Sequence, residues 1–162
     1  MRRGRREEFS QFSWTPDIAD PQSEDSFLCS KLNWELQTEG RHRILWLFYQ
    51  ELLRLRRDVP ALARLDKNTQ EISSFRDEKT LLLRRWDGSS SAIAAFHFSE
   101  ESRKLTLPIP PGPWLKQLDS ADERWAGKGS QAPAKLESTG EIHLTFGPWN
   151  FLLLEQTTKA NK

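Results

Sequence analysis

TLLLRRWDGSSSAIAAFHF, the stretch from residue 80 to residue 98, decides the fold of this chain. It contains two apolar runs, residues 80–86 and 92–98, on either side of the polar turn residues 87–90. Both runs are rich in aliphatic and aromatic side chains, which favour extended structure. A glycine-containing polar turn between two such runs is typical of a β-hairpin. The stretch therefore predicts two antiparallel strands.

Short alternating segments continue on both sides of this hairpin. They predict five further strands, at residues 70–75, 104–107, 114–118, 141–146 and 149–154. Residues 119–135 hold Gly127, Gly129 and Pro133 and are predicted to form a long loop. Seven short strands with turns between them predict a mainly β protein, with an antiparallel β-sandwich over residues 65–158. The polar residues 159–162 are expected to fray.

Residues 41–57 carry the strongest helical pattern in the chain. Apolar side chains recur there at steps of three and four residues, as at Leu45, Phe48 and Leu52. Pro60 disfavours helical geometry at the residue before it, so the helix is expected to end near residue 58. Further apolar residues widen the stripe beyond one contact surface: Ile44, Trp46, Leu47 and Leu53. The helix is therefore expected to have neighbours on several sides.

The segment before this helix is predicted to be rich in loops. Residues 13–34 hold prolines, aspartates and serines, which favour turns. Aromatic side chains such as Trp14, Phe27 and Trp34 recur among them, so we expect the segment to be anchored by these rings. Residues 2–9 are predicted to be the last turns of an amphipathic element, and the opening of the chain lacks the charged-then-apolar layout of a secretory signal.

Composition argues against several classes of protein. The 24 basic and 23 acidic residues give a net charge of +1, whereas nucleic-acid-binding proteins usually concentrate basic charge on one surface. No apolar run approaches the ~20 residues that a membrane-spanning helix needs. A single cysteine, Cys29, excludes an internal disulfide. We therefore expect a cytoplasmic protein with neither a nucleic acid nor a membrane as its partner.

Three stretches near the start of the chain resemble one enzyme family. They are residues 4–9 (GRREEF), 20–22 (DPQ) and 27–34 (FLCSKLNW). Together they resemble the segment that leaves the last barrel strands in malto-oligosyltrehalose trehalohydrolases, glycoside hydrolases of the α-amylase superfamily. The resemblance continues through the helix and into the β-domain. It implies that residues 1–64 are the end of a (β/α)8 barrel, whose last helix is residues 41–57, and that residues 65–158 are an α-amylase C-terminal-type domain.

The resemblance implies an enzyme that releases trehalose from maltooligosyltrehalose. Retaining glycoside hydrolases need a carboxylate nucleophile and a carboxylic acid ~5 Å apart. In this superfamily, they come from an Arg-x-Asp strand motif and a glutamate on the next strand, and a His-Asp pair supplies a third carboxylate. No Arg-x-Asp precedes residue 40, and no aspartate follows His42, His97 or His143. We assign no catalytic residue, and we expect the chain to support the barrel without being catalytic by itself.

Among the seven tryptophans, Trp114 and Trp125 are the candidates for a ring that stacks on a sugar, since both flank turn-rich segments. Packing in the core is the alternative for each. His97, between two phenylalanines, is expected to be a hydrogen-bonded structural residue. No second cysteine or histidine lies close by to complete a metal site, and the glycines are too scattered for a phosphate loop. No metal or cofactor is predicted.

Three interpretations of the chain stay open. It could be the non-catalytic part of a trehalohydrolase-like enzyme, whose partner would be the missing catalytic barrel. It could be a free-standing sandwich that binds an α-glucan through exposed tryptophans. It could also be an interaction module that docks through helix 41–57, for example as a homo-oligomer, because an exposed apolar helix is a natural contact surface.

Overall fold

Eight antiparallel strands make up two sheets in the described part of this computed structural model. The structure describes residue 20 and residues 22–64 and 66–157. The predictions for residues 2–9 and 159–162 fall outside the described residues. The chain divides into two compact units, Met1–Gln37 and Thr38–Lys162, and both sheets belong to the second.

The predicted antiparallel sandwich is confirmed. Its strands are β1 (Gln70–Phe75), β2 (Thr80–Asp87), β3 (Ser90–His97), β4 (Arg103–Pro108), β5 (Gly112–Asp119), β6 (Lys135–Ser138), β7 (Glu141–Phe146) and β8 (Phe151–Gln156). The larger sheet has the order β1-β2-β3-β8-β5-β6, and β4 pairs with β7 in the smaller one. In the β2–β3 hairpin, Thr80 lies opposite His97 and Asp87 lies opposite Ser90. Gly88 adopts a φ of +54° in the two-residue turn, a conformation that glycine adopts without strain.

The sequence did not predict strand β6, which begins at the last residue of the loop predicted over residues 119–135. It pairs with the first half of β5, where Leu136 lies opposite Trp114. Its sequence, KLES, contains a single apolar residue, so the alternation that marks the other strands is missing. The strand forms because the edge of β5 offers hydrogen-bonding groups that would otherwise be unpaired.

Among the described residues, three α-helices precede the strands. They are α1 (Glu24–Ser30), α2 (Gly40–Asp58) and α3 (Pro60–Ala63). The helix predicted at residues 41–57 is α2, one residue longer at each end. Helix α1 lies within a segment predicted as loop. Ser23 caps it by accepting a hydrogen bond from the backbone N–H of Asp25, and acidic residues fill its first turn.

A hydrophobic core fills the space between the two sheets. It combines residues of the larger sheet, such as Ile93 and Trp114, with residues of β4 and β7, such as Leu105 and Phe146. Each of these four side chains is at most 4% exposed. Burial of this apolar surface is the main force that holds the sandwich together.

A second hydrophobic cluster covers the opposite face of the larger sheet. Leu55 of α2 and Ala61 of α3 pack there against Ala92 and Ala94 of β3 and against Leu118 of β5. Small side chains on β3 allow the helices to approach the sheet closely. Because both faces of β3 and β8 are buried, their sequences, such as AIAAF at residues 92–96, are apolar without interruption.

The domain boundary predicted between residues 64 and 65 separates a barrel remnant from the β-domain, and it stays a prediction.

Candidate functional site

Trp114 belongs to the core of the sandwich. Its side chain is 0% exposed, and its indole Nε1 donates a hydrogen bond to the carbonyl oxygen of Pro110 at 3.0 Å. Neither face of the ring is open to a sugar. Trp114 is therefore a core residue, which is the alternative given for it above.

Trp125 lies in a different environment, a single 3₁₀ turn in the loop between β5 and β6. Its backbone N–H donates to the carbonyl oxygen of Asp122 at 2.9 Å. Ala126 ends the turn in the left-handed conformation, with a φ of 61°. Gly127 is required next, because a Cβ atom there would lie 2.2 Å from the carbonyl oxygen of Ala121. The local geometry therefore fixes the backbone of the turn that carries Trp125.

The buried carboxylate of Asp119 holds this loop in place. One oxygen accepts from the backbone N–H of Ala121 at 2.9 Å and from the side-chain amide of Asn150 at 2.7 Å. The other oxygen accepts from the hydroxyl of Ser130. Lys116 donates in turn to the Ser130 hydroxyl at 2.6 Å. Asp119 thus joins both ends of the loop to the end of the sheet, which explains a carboxylate that is only 1% exposed.

A cleft of about 400 Å³ lies between α2 and the Trp125 loop, and we call it the Trp125 cleft. The ring of Phe48 meets that of Trp125 edge to face, with centroids 5.2 Å apart. The guanidinium of Arg124 lies over the Trp125 ring, 4.6 Å from its centroid. The residues that line the cleft are Arg41, Ile44, Leu45, Phe48, Ser120, Trp125 and Ala126. Its wall is thus largely apolar, with one cationic side chain and one hydroxyl.

The polar atoms around the Trp125 cleft differ in whether they could contact a bound molecule. The Ser120 hydroxyl oxygen accepts hydrogen bonds from the backbone N–H of Phe151 at 2.8 Å and from the Asn150 amide at 3.3 Å. The Trp125 Nε1 is buried without an acceptor among the described residues, so it does not face the open space. Arg41 is exposed and makes no ion pair in the described part of the chain. The cleft therefore offers apolar contact and positive charge, and its described lining contains no carboxylate.

Beside the cleft, α2 presents a second apolar surface, which we call the outer face. It consists of Leu45, Trp46, Tyr49 and Leu53, whose exposed fractions are 54%, 47%, 58% and 65%. Another side of α2 packs on the sheet through Phe48, Leu52 and Leu55. Leu45 belongs to the outer face and also to the wall of the Trp125 cleft. The two features are therefore continuous.

Ion pairs occupy the C-terminal part of α2. Arg54 pairs with Glu51 at 2.8 Å and with Asp58 at 3.4 Å, and its hydrogen bond lowers the pKa of the Glu51 carboxyl. Arg57 pairs with Asp58 at 2.8 Å and lowers the pKa of that carboxyl in the same way. Both carboxylates stay ionised over the physiological range and stabilise the helix modestly.

His97 and Asp122 both have structural contacts. His97 is 1% exposed, with Nδ1 3.1 Å from the Thr80 hydroxyl and Nε2 3.0 Å from the carbonyl oxygen of Glu101, as expected for a structural histidine. Asp122 accepts from the backbone N–H of Arg124 and caps the 3₁₀ turn. Within residues 20, 22–64 and 66–157, no three His, Cys, Asp or Glu side chains are grouped to hold a metal ion.

Known proteins with a similar sequence belong to one enzyme family. No protein-family model matches the chain. Curated relatives do: it is 32% identical over 114 residues to the malto-oligosyltrehalose trehalohydrolase of Deinococcus radiodurans and 33% identical over 119 residues to that of Rhizobium sp.. The chain is a partial-length relative of the malto-oligosyltrehalose trehalohydrolases. The matches cover 66% and 73% of this chain, but only 19% of each trehalohydrolase.

Structural alignment with solved proteins also supports the fold. A Salmonella typhimurium protein named as a candidate α-amylase aligns with 96% of this chain at a TM-score of 0.65 and 22% identity. An Anoxybacillus α-amylase aligns with 73% of the chain at a TM-score of 0.53 and 17% identity. In each case, the alignment covers 23% of the larger protein. The α-amylase C-terminal-type fold expected from the trehalohydrolase resemblance is confirmed.

Sequence reasoning found Trp125 but missed the residues that surround it. Arg41, Phe48 and Ser120 come from a helix and from a strand end that are distant in sequence. The buried position of Asp119 had one local signal, an aspartate directly after an apolar strand and before Ser120.

In the described part of the chain, no helix is both long and apolar enough to cross a bilayer.

Proposed function

We propose that this chain is the C-terminal supporting part of a trehalohydrolase-like glycoside hydrolase, which acts in trehalose biosynthesis from maltooligosyltrehalose. One observation carries the proposal: more than 30% identity to trehalohydrolases extends over about two thirds of the chain but over only 19% of those enzymes. The sandwich with its packed helix α2 would then support a catalytic barrel. The cytoplasmic location expected from the sequence stays a prediction.

The chemistry of the described carboxylates supports a non-catalytic part. Cleavage of a glycosidic bond needs two carboxyl groups that both reach the scissile bond. Asp119, the last residue of β5, precedes Ser120 of the Trp125 cleft, and both of its carboxylate oxygens already accept hydrogen bonds from the protein. Asp122 caps a turn and pairs with Arg124 at 3.6 Å. Both carboxylates thus have structural partners, and under this proposal the reacting groups come from the barrel.

A trehalose-release assay tests this proposal directly. The purified chain is incubated with maltooligosyltrehalose, alone and after co-expression with the Deinococcus radiodurans trehalohydrolase from which the matched residues have been removed. We expect no release by the chain alone and release by the co-expressed pair. Release by the chain alone would refute the proposal, because it would require a carboxylate pair that the proposal excludes. No release by the pair would refute the supporting function.

A further inference from the structure

A second cleft, which we call the Arg84 cleft, opens on the face of the larger sheet that α2 does not cover. Its volume is about 230 Å³. One wall is made by Glu71 and Ser73 of β1 and by Arg84 of β2. The other wall is made by residues 108–111, which lead from the end of β4 to β5 and include three prolines. The Arg84 cleft thus combines two charged side chains and a hydroxyl with an apolar wall.

The unequal size of the two sheets leaves this cleft open. Among the described strands, six form the larger sheet and two form the smaller one, so the inner face of the larger sheet is not covered over its whole width. Leu82 of β2 is buried in the core between the sheets, whereas the side chain of Arg84, two residues further along the same face, is 33% exposed. Helices α2 and α3 pack on the opposite face. A molecule that contacts α2 therefore lies on the other side of the sheet from the Arg84 cleft.

Arg84 and Glu71 lie directly opposite each other on neighbouring strands. The distance from the Arg84 Nη1 to the Glu71 Oε2 is 3.8 Å, which is too long for a hydrogen bond. The Arg84 guanidinium lies over the Trp86 ring, 4.9 Å from its centroid, and its Nε is buried without an acceptor among the described residues. Stacking on Trp86 thus restricts the guanidinium, while its terminal N–H groups and the Glu71 carboxylate stay available for a bound molecule.

The two opposite charges define the class of molecule that fits. An anion would be repelled by the Glu71 carboxylate, and a cation would be repelled by Arg84. A neutral molecule with neighbouring hydroxyl groups suits both, because one hydroxyl accepts a hydrogen bond from Arg84 and the next donates one to Glu71. The half-buried Ser73 adds a hydroxyl that can donate or accept. The prolines of residues 108–111 offer apolar surface to the C–H groups of a sugar ring.

We propose that the Arg84 cleft binds a neutral sugar, with one pyranose ring between the Arg84–Glu71 pair and residues 108–111. The cleft is smaller than the ~300 Å³ at which pockets for drug-sized ligands begin, so one ring fits and further rings extend into solvent. This inference goes beyond the proposed function, because a part that supports a catalytic barrel does not itself need a sugar site. It assigns binding to this cleft and no reaction.

Calorimetric titration of the full chain with maltotriose tests the inference. Arg84→Met removes the donors and keeps an apolar stem against Trp86, and Glu71→Met removes the acceptor at an exposed position. Arg85→Met is the matched control, because Arg85 is the next residue of β2 and its side chain lies on the opposite face of the sheet. Thermal denaturation verifies that each chain is folded at the temperature of the titration.

We expect saturable binding to the unchanged chain and to Arg85→Met, with affinity at least about tenfold weaker in Arg84→Met and Glu71→Met, since each loses a hydrogen bond to a charged group. Equal affinities of all four chains would place the sugar elsewhere and overturn the inference. No binding to the unchanged chain would also overturn it but leave the proposed function intact, which trehalose release tests separately. Binding of inorganic phosphate in place of maltotriose, abolished by Arg84→Met, would identify an anion site and refute the sugar.

Discussion

Among single residues, Asp119 has the largest influence on the Trp125 loop. Its carboxylate is buried at the end of β5, and charged groups are buried without penalty only when they are fully hydrogen-bonded. Its partners come from both ends of the loop and from Asn150, the residue before β8. The position of Trp125 therefore depends on a residue that does not touch its ring.

Replacement of Asp119 by alanine is expected to lower the free energy of unfolding by about 2–3 kcal/mol, because buried donors lose their acceptor. Chemical denaturation measures this loss. Glu123→Ala is the control, since Glu123 is exposed in the same loop, and its effect should stay within about 0.5 kcal/mol. Equal stabilities of the two variants would show that the network does not hold the loop.

The carboxyl of Glu155 leads to a second prediction, which concerns the pH dependence of folding stability. Burial raises the pKa of its carboxyl above the ordinary value of 4.5, and the hydrogen bond from Gln117 offsets part of that rise. A carboxyl whose pKa is higher in the folded state makes folding less favourable as the pH rises through that pKa. Glu155→Gln removes this effect and keeps an acceptor for Gln117.

The Gln variant should therefore be more stable than the unchanged chain at pH 7, by about 0.5 kcal/mol at most, because the carboxyl remains partly solvated. The difference should disappear at about pH 3, well below the ordinary carboxyl value, where both chains are neutral at this position. Urea denaturation at both pH values measures it. A Gln variant that is less stable at pH 7 would contradict the prediction.

At the scale of elements, the two faces of the larger sheet explain both the strand sequences and the helix. One face packs on β4 and β7, and the other packs on α2 and α3. Helix α2 is accordingly apolar on two sides, of which the sheet covers only one. The wide stripe in its sequence thus contains one core face and one exposed face.

Two leucines of α2, one on each face, allow the faces to be compared by matched substitutions. Leu55 is 1% exposed and Leu53 is 65% exposed. Leu55→Ala is expected to lower the free energy of unfolding by about 2–5 kcal/mol, because it removes buried methyl groups and leaves a cavity. Leu53→Ala should change it by no more than about 0.5 kcal/mol. Thermal or urea denaturation of both variants checks the difference, and similar losses would show that the outer face is also packed in solution.

At the scale of the whole molecule, the two hydrophobic clusters belong to one unit. Their described members lie between Phe48 and Leu154, all within Thr38–Lys162. A chain shortened to begin at Thr38 should therefore keep its β-type circular dichroism. Its melting temperature should stay within about 4 °C of that of the full chain, which corresponds to less than about 1 kcal/mol. A fall of more than about 10 °C would show that the first 37 residues stabilise the sandwich.

The sequence predicted seven of the eight described strands and the long helix, because alternation and helical periodicity are local properties. It missed β6 and α1 for different reasons. Strand β6 has one apolar residue and depends on the edge of β5, whereas α1 depends on a cap at Ser23 within a turn-rich segment. The candidate site was predicted only in part, since Trp125 is visible in the sequence but its neighbours from α2 are not.

The sequence by itself determined the antiparallel sandwich, the helix and the family, because each is encoded in short stretches whose pattern does not depend on distant residues. Only the tertiary structure decided which tryptophan is buried and which side of α2 is free. Trp114 and Trp125 flank similar turns, and their exposure differs because β6 and the smaller sheet cover one while a loop held by Asp119 carries the other. Burial is a property of packing between elements, so no single stretch of sequence contains it.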